Sequence, residues 1–537
     1  MRKLVVIFFS AILLILSLSM YGQGSVVDTR IRQLYERGFE SLEVHYGTYK
    51  PNVFELFYQG HQDYSFYLLP IEPNSKISVV GNKNTSELFF LKSDKLSNGV
   101  GPLDVVKDCK KNYYSFKATE LSIVAPSDAH YIYLTRQIAG ADRLPSELVI
   151  NGHNIIHPES HRAVFLANNG ISDKALPKYT DAIAPNMSED FKGIAFFQAP
   201  VMVVCDDENS TIVIGAEAKT EDGKCPFYAC SISTDGGKTF TASVKYLTDG
   251  SGNYLADKEG KKKPVSMTEL LYDRMVNRII SLTASCCYAS DDLGQTWYLL
   301  SDFSKQVKVP DGFTSRSYSP TAGIQLANGI LAAPMRFLKR SATENKILAE
   351  VNFVLYSKDH GKTWQRTPYT PVENVTDEVT IIEYAKNQIM LNARGGSEFW
   401  MDDTMSGRRV FIPQKKSKNN INKWAVTGWT AEKKSDGVLF DPICNAAILK
   451  TKIKRRNVAL FCNPLTEGDF WPRRNLVLQM SKDFKHWQPV CLLTPYGEKN
   501  QGYCALGTNG EEYYFAYEQY RGNIKFADIT DIIRTIK

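Results

Sequence analysis

The stretch Ser290-Asp-Asp-Leu-Gly-Gln-Thr-Trp297 decides the fold, because copies of it recur along the chain. The shared pattern is Ser-x-Asp-x-Gly-x-Thr followed by Trp or Phe. Copies begin at Ser233, Ser290 and Ser357, and a decayed copy, one residue short, begins at Ser481. The spacings are 57, 67 and 124 residues, so a copy is missing near residue 419, where Ser417–Trp424 keeps the frame. A regular period with turn residues at one point indicates a repeat array.

Each copy has the chemistry of a hairpin turn. Asp and Ser side chains accept hydrogen bonds from turn amides, and Gly adopts the positive φ that other residues resist. One such turn in each four-stranded sheet is typical of a propeller blade. Dividing the second part of the chain by a period of about 62 residues predicts six blades. We therefore expect a six-bladed β-propeller over residues 195–537.

The first part of the chain lacks this turn. The chain has 537 residues, which is too long for one compact core. Residues 25–160 contain short β-rich runs separated by polar, Gly, Pro and Asn breaks, which predicts a β-sandwich. A carbohydrate-binding role and a packing or spacer role both stay open for it. Residues 161–194 are irregular and are expected to form a linker with an inserted loop. The predicted fold class is all-β, with a sandwich before a propeller.

Residues 1–23 have the pattern of a secretory signal peptide. Arg2 and Lys3 precede an apolar run from Leu4 to Leu18, and Gly22 is a small residue near a cleavage point. The alternative is a membrane anchor, but the apolar run is short for a span. We expect cleavage, no stable membrane insertion afterwards, and a secreted or periplasmic protein.

Charge and cysteine content argue against two classes of partner. The net charge is only +6, and no run of Lys or Arg alternates with aromatic residues, so no nucleic-acid partner is expected. The ten cysteines show no C-x-x-C pair of metal spacing. We expect most of them to be small buried side chains, and we expect no metal.

Four segments of the second part carry a resemblance. They are Gln501-Gly-Tyr503-Cys, Thr376-Asp-Glu378-Val, Asn392-Ala-Arg394 and Pro472-Arg473-Arg474-Asn. Together with the turn repeats, they resemble bacterial exo-α-sialidases, six-bladed glycosidases with Asp-box (BNR) repeats that remove terminal sialic acid. The resemblance covers roughly residues 195–537.

The resemblance implies a tyrosine nucleophile, Tyr503, with Glu378 as the base that takes its proton. Sialidases are an exception to the usual pair of catalytic carboxylates. The anomeric carbon of their substrate bears a carboxylate, which would repel an anionic nucleophile, and a neutral phenol avoids that repulsion. Glu383 lies on the same strand but five residues further on, hence on the opposite face.

The resemblance also implies that Arg394 and Arg473 bind the substrate carboxylate. The planar fork of Arg matches a carboxylate with two hydrogen bonds. Arg473 fits the register of the family segment better than Arg474.

The chain departs from the family at the first carboxylate-binding arginine. The family opens its propeller with Arg-Ile-Pro, and here Gln198-Ala-Pro200 occupies that place. Glutamine donates a hydrogen bond but carries no charge, and losing a charged bond costs about 1.5–3 kcal/mol. The usual basic residue after the next strand is also altered, to Lys219.

The general acid of the family is an Asp about a dozen residues before the first turn repeat. That register falls on Glu221, with Asp222 beside it, and we favour Asp222 because the family residue is Asp. A plain surface loop is the alternative for this segment.

These residues predict a retaining glycosidase that needs no cofactor and acts on glycans capped by sialic acid or a related acidic sugar. A non-catalytic glycan-binding propeller is the main alternative. A polysaccharide lyase ranks last, because no histidine is well placed for it.

Overall fold

The computed structural model divides into two compact units, residues 1–170 and residues 171–537. It describes residues 30–31, 33–35, 42, 44–46, 48–50, 54–58, 64–155, 162, 166–167 and 169–536, except for 82–83, 97–100, 118, 139–140, 250, 342, 344–346, 372–375, 396–408, 414–428, 432–438, 440, 443, 466–472 and 499. The predicted signal peptide and the decayed copy at Ser417–Trp424 lie outside these residues. Strands make up nearly all of the regular secondary structure described in both units, which confirms the all-β class.

The first unit contains three sheets among its described residues. The strands are β1 (Val44–Tyr46), β2 (Thr48–Lys50), β3 (Glu55–Tyr58), β4 (Tyr64–Pro70), β5 (Lys76–Val80), β6 (Ser86–Leu91), β7 (Gly101–Pro102), β8 (Tyr114–Phe116), β9 (Glu120–Val124), β10 (Tyr131–Ile138), β11 (Ala141–Asp142), β12 (Glu147–Ile150) and β13 (His153–Asn154). One sheet runs β1-β4-β10-β6-β8 with β11 beside β10, the second β13-β12-β5-β9 and the third β2-β3-β7. The two larger sheets contribute to one hydrophobic cluster, in which the rings of Phe66, Phe89 and Tyr133 stack.

The second unit contains six sheets among its described residues. Its strands are β14 (Tyr179–Ile183), β15 (Phe196–Val204), β16 (Ile212–Lys219), β17 (Phe227–Ser233), β18 (Thr241–Ser243), β19 (Leu247–Thr248), β20 (Glu269–Asp273), β21 (Arg278–Leu282), β22 (Cys286–Ser290), β23 (Trp297–Asp302), β24 (Ser315–Tyr318), β25 (Thr321–Ala322), β26 (Ile324–Gln325), β27 (Leu331–Arg340), β28 (Ile347–Ser357), β29 (Gln365–Arg366), β30 (Thr376–Ala385), β31 (Gln388–Gly395), β32 (Arg409–Pro413), β33 (Trp429–Ala431), β34 (Ala447–Ile453), β35 (Arg456–Pro464), β36 (Leu476–Ser481), β37 (Gln488–Leu492), β38 (Asn500–Thr508), β39 (Tyr513–Gln519) and β40 (Ile524–Asp528).

Four of these sheets are built from strands that are consecutive or nearly so, and the other two recruit a strand from elsewhere. The orders are β15-β16-β17-β18, β19-β23-β22-β21-β20-β25, β24-β27-β28-β29 with β26 beside β27, β30-β31-β32-β33, β34-β35-β36-β37 and β14-β40-β39-β38. Short 3-10 helices at Pro185–Met187 and Glu189–Phe191 follow β14, and a helix at Thr530–Arg534 follows β40. In the described part of the chain, no helix is long and apolar enough to cross a membrane.

The assignment of residues 161–194 to a linker and loop needs a correction. Tyr179–Ile183 is a strand that pairs antiparallel with β40, from Tyr179 opposite Ala527 to Ile183 opposite Ile524. The buried Ala182 and Ile183 pack into the same cluster as Phe526. The short apolar end of this strand gives little sequence signal, because its partner lies more than 300 residues away.

The complete turn repeats at Ser233, Ser290 and Ser357 each join two neighbouring strands of one sheet with the same hydrogen bonds. In the copy at Ser290, the amide of Gly294 donates to Ser290 Oγ at 2.7 Å and the amide of Thr296 donates to Asp292 Oδ1 at 2.9 Å. Gly294 has φ +91°, as the turn requires. The indole of Trp297 is buried and donates to the carbonyl of Gly294 at 2.9 Å.

Strands of the six sheets contact one another in a series that returns to its start. Contacts pass from β15 to β20, then through β25–β27 to β30, β34 and β38, and β38 contacts β15 again. A cavity of about 230 Å³ lies between them and is lined by all six sheets, for example by Met202, Tyr272, Ile381, Leu449 and Leu506. All ten cysteines are described and free, and eight of them are buried.

Candidate active site

A tyrosine and a glutamate from different sheets are hydrogen-bonded to each other, each near the start of its strand. Tyr503 lies on β38 and Glu378 lies on β30. The phenol of Tyr503 donates to the carboxylate of Glu378, with its oxygen 2.8 Å from Oε1 and 2.9 Å from Oε2. The phenolic proton therefore has an acceptor in place.

Arg394, on β31, joins this pair. Its Nη1 lies 2.7 Å from Glu378 Oε2 and 3.2 Å from the Tyr503 oxygen. Its Nη2 lies 2.5 Å from Asp377 Oδ2. The Arg394 side chain is only 11% exposed, so these contacts replace most of its hydration.

Arg473 precedes β36 and lies over the ring of Tyr503, with its guanidinium carbon 5.9 Å from the ring centroid. Gly502 makes this approach possible. A Cβ at Gly502 would stand 2.5 Å from Arg473 Cδ and 2.7 Å from Cys444 Sγ, and the residue has φ +90°. No residue other than glycine fits this position without moving its neighbours.

The charges around the pair fix its protonation state. Burial and the carboxylate of Glu378 raise the pKa of Tyr503 well above its usual value, against the opposing effect of Arg394 and Arg473. Burial alone would raise the pKa of Glu378, but Arg394 and Arg336 outweigh it and hold that pKa below its usual value. The resting pair is thus a neutral phenol and an ionised carboxylate.

The strands that carry these groups are irregular where the groups project. The register of β30 shifts between Thr376 and Val379, and that of β38 shifts between Asn500 and Cys504. The shift in β30 lets neighbouring residues Asp377 and Glu378 both reach Arg394, although adjacent residues of a regular strand face opposite ways. Bulges of this kind re-aim side chains at functional sites.

Comparison with known proteins finds similar sequences and a similar fold. A model of the BNR repeat-like domain matches residues 280–515. A sialidase of Bacteroides fragilis (strain YCH46) is 26% identical over 52% of this chain, and a sialidase of Paraclostridium sordellii is 24% identical over 62% of it. Over these ranges the chain is similar to sialidases, and it carries a BNR repeat-like domain.

The matches cover different shares of these relatives. This chain spans 52% of the Bacteroides fragilis protein and 79% of the Paraclostridium sordellii protein. Among solved structures, Hadza microbial sialidase Hz136 aligns with a TM-score of 0.51 at 16% identity, over 91% of this chain and 98% of that one. This last similarity concerns the fold.

Gln198, the departure from the sialidase pattern, lies on β15 and turns toward other groups. Its Nε2 donates to Glu217 Oε2 at 3.3 Å, and Glu217 forms an ion pair with Lys219 at 2.7 Å. The Tyr318 hydroxyl lies 3.5 Å from Glu217 Oε1. The altered residues Gln198 and Lys219 thus share one carboxylate.

Glu518 forms hydrogen bonds with both the segment of Gln198 and that of Tyr503. Its buried carboxyl accepts from the amide of Ala199 at 2.6 Å and from the amide of Tyr503 at 3.3 Å. Burial raises the pKa of Glu518 to about 8, although both amides oppose the rise. Ala199 has φ +53°, in a register shift of β15 that begins at Gln198.

Asp222 is not brought into contact with the tyrosine or the glutamate in the described structure. It lies in the turn between β16 and β17 and its side chain is 56% exposed. It accepts from Thr220 Oγ1 at 2.5 Å and forms an ion pair with Lys224 at 2.7 Å. These contacts, that of Lys224 first, lower the pKa of Asp222. Its neighbour Glu221 is also exposed.

Sequence reasoning missed two charged residues that contact the site, Asp377 and Arg336. Asp377 stands beside Glu378 in the quoted segment, but strand alternation places it on the far face. Arg336 lies on β27 and forms an ion pair with Asp377, 41 positions away in the chain. The pair could be predicted from the sequence only if the bulge in β30 were already known.

Proposed function

We propose that this protein is a retaining exo-glycosidase that hydrolyses terminal α-linked sialic acid, or a related 2-ulosonic acid, from glycoconjugates. The hydrogen bond between Tyr503 and Glu378, flanked by Arg394 and Arg473, is the observation that carries the proposal. The sequence similarity to sialidases of Bacteroides fragilis and Paraclostridium sordellii supports it.

In the proposed mechanism, Tyr503 attacks the anomeric carbon while Glu378 accepts the phenolic proton. The ionised state of Glu378 and its distance of 2.8 Å from the phenol suit a general base. The C–O bond to the leaving group breaks and the leaving oxygen takes a proton; for Asp222 to supply it, this residue must first give up its exposed pairing with Lys224, and Glu221 beside it is the alternative donor. Water then attacks the anomeric carbon from the face that the leaving group left, the C–O bond to Tyr503 breaks and the phenolate takes its proton back from Glu378, so that two inversions retain the configuration.

Arg394 and Arg473 are proposed to hold the substrate carboxylate beside the phenol. Both guanidinium groups lie within reach of the Tyr503 ring. Gln198 is proposed as a weaker third contact. Moving it from Glu217 to the substrate would leave Glu217 paired with Lys219 and the Tyr318 hydroxyl.

We further propose that the six sheets of the second unit are the blades of a six-bladed propeller. Two observations support this arrangement: the series of contacts between strands of the six sheets returns to its start, and all six sheets line one cavity. In it, β14 completes the last blade. The shared hydrophobic cluster supports a sandwich for the first unit. Export through a cleaved signal peptide also stays a proposal.

A non-catalytic glycan-binding protein is the second candidate. The observation that favours it is the placement of Gln198 against Glu217 and of Asp222 against Lys224, which leaves one expected contact uncharged and the expected acid exposed.

Release of a fluorophore from aryl α-sialosides, with Kdn and Kdo glycosides beside them, distinguishes the two candidates. The enzyme predicts turnover of at least one glycoside. Saturable sialoside binding without turnover of any of the three would favour the binding protein.

A further inference from the structure

Arg336 is a third guanidinium at the site, and it reaches Glu378 only through other groups. Its side chain is 13% exposed and its Nη1 forms an ion pair with Asp377 Oδ1. Its Nε lies 3.3 Å from the carbonyl oxygen of Tyr318, and its Nη2 lies 3.4 Å from Ser317 Oγ. Glu350 Oε1 stands 3.6 Å from Nη1. The Arg336 fork is therefore fixed on several sides.

Asp377 connects this fork to the candidate active site. One of its carboxylate oxygens faces Arg336, and the other lies 2.5 Å from Arg394 Nη2. Arg394 in turn uses Nη1 for Glu378 and Tyr503. The side chains thus alternate in charge along one path from β27 to the phenol.

Backbone contacts hold Asp377 in this place. Asn352 Nδ2 donates to the carbonyl of Asp377 at 2.8 Å, and Thr376 Oγ1 donates to Asn352 Oδ1 at 2.5 Å. On the other side of the bulge, the amide of Val379 donates to Ser319 Oγ at 3.1 Å. The bulge that turns Asp377 inward is thereby supported at both ends.

We propose that Arg336 and Asp377 are positioning residues that set the orientation of Arg394 and the charge at Glu378. This inference rests on the proposed glycosidase function. Arg394 has a long side chain that would otherwise sample many rotamers. The contact of its Nη2 with Asp377 restricts it to the orientation in which Nη1 faces Glu378 and Tyr503. Arg336 gives the buried carboxylate of Asp377 a second cationic partner besides Arg394, which offsets the cost of burying its charge.

Arg336 also adds positive charge beside Glu378 in a chain that lacks the arginine expected at Gln198. Glu378 has Arg394, Arg336 and Arg473 as its positive neighbours, and all three lower its pKa. Part of the positive field at the base thus comes from β27 instead of β15.

Two substitutions should shift the pH profile of kcat/KM in opposite directions, which distinguishes a positioning role from a general loss of structure. Arg336→Gln removes a positive charge near Glu378, so the pKa of Glu378 rises and the acidic limb of the kcat/KM profile moves to higher pH. Asp377→Asn removes a negative charge, so the same limb moves to lower pH. Both variants should lose about 10- to 100-fold in kcat/KM, the range for partners that orient a functional group. Arg336→Lys keeps the charge and should keep the limb in place.

Arg278→Gln is the matched control. Arg278 is also a mostly buried arginine in an ion pair, 2.7 Å from Asp291 Oδ1, at 16% exposure. Its loss should leave the pH profile unchanged.

A readout without substrate keeps this test independent of the glycosidase proposal. In protein labelled with ¹⁵N-arginine, the Arg394 Nε resonance, assigned with Arg394→Lys, should shift in Asp377→Asn and Arg336→Gln but stay in Arg278→Gln. An unshifted resonance in both variants overturns the positioning role. Absence of turnover in the wild type overturns only the glycosidase function, and the resonance then decides the positioning role alone. If Asp377→Asn does not fold, the Arg336 variants give the answer.

Discussion

Tyr503 and Glu378 are 125 residues apart in the chain, yet the phenol oxygen lies within 2.9 Å of both carboxylate oxygens. The contact links strands of two sheets, β38 and β30. Both groups project from strands of the fold itself, so the acceptor for the phenolic proton is held by protein contacts. Preorganisation of this kind lowers the reorganisation needed in the transition state.

Replacing Glu378 tests the base directly. Glu378→Gln keeps the size of the side chain but cannot accept the proton, so kcat should fall by about 10² to 10⁴-fold. KM should change much less, because Arg394 and Arg473 remain. Steady-state kinetics on an aryl α-sialoside measure both constants. A variant with wild-type kcat would assign the proton to another group. Glu383→Gln, on the same strand but paired with Lys450, is the control and should keep its kcat.

The space at Gly502 yields a second prediction. Gly502→Ala introduces a Cβ that clashes with Arg473 and Cys444, so Arg473 should shift and kcat/KM should fall by tenfold or more, about 1.4 kcal/mol. Gly510→Ala is the control, because Gly510 also has positive φ, +102°, but no atom within 4 Å of its Cβ position. It should lose some stability and no activity. Equal activity losses in the two variants would contradict the role given to the Gly502 contact.

Glu518 predicts a pH dependence of stability. Its pKa is raised to about 8 in the folded protein, so the folded state binds a proton more tightly than the unfolded chain does. The associated stability is present below pH 4 and is lost as the pH rises toward 8. Glu518→Gln removes this dependence, so its free energy of unfolding should fall less than that of the wild type between pH 5 and 8.

Urea denaturation at several pH values measures that difference, which is on the order of a few kcal/mol. Glu512→Gln serves as a control, since hydrogen bonding from Tyr514 lowers the pKa of Glu512 instead of raising it. Parallel pH slopes for wild type and Glu518→Gln would show that Glu518 ionises normally.

Gln198 provides a test of the missing charge. Gln198→Arg adds a cation at the position where the sialidase pattern has one, so KM for a sialoside should fall, by about tenfold if one charged hydrogen bond forms. Gln198→Met, uncharged and of similar length, is the control and should raise KM. If Arg at this position pairs only with Glu217 and leaves KM unchanged, the lost charge is irrelevant to binding.

Local sequence signals explain which parts of this structure were accessible to prediction. The turns at Ser233, Ser290 and Ser357 are fixed by side chains within eight residues, and the structure contains each with the expected bonds. The all-β class follows from the same signals. Tyr503 and the three groups around it were identified through a resemblance, since no period or spacing shows which distant strands come together.

Features that depend on bulges or on pairing between distant strands could not be predicted from the sequence. The inward turn of Asp377 comes from a register shift that Asn352 and Ser319 support from other strands. Pairing of Tyr179–Ile183 with β40 depends on the return of the chain end to its sheet. Such features follow from tertiary contacts that override the alternation of a regular strand.

Identification of the residue that becomes bonded to the sugar tests the central claim most directly. A fluorinated sialosyl fluoride, which forms the glycosyl-enzyme quickly and releases it slowly, is incubated with the wild type and with Tyr503→Phe, followed by proteolysis and mass spectrometry. The account predicts one sialosyl adduct on the peptide containing Tyr503, and none in Tyr503→Phe. Turnover of an aryl α-sialoside by a wild type that forms its adduct elsewhere, or undiminished turnover by Tyr503→Phe, would contradict it.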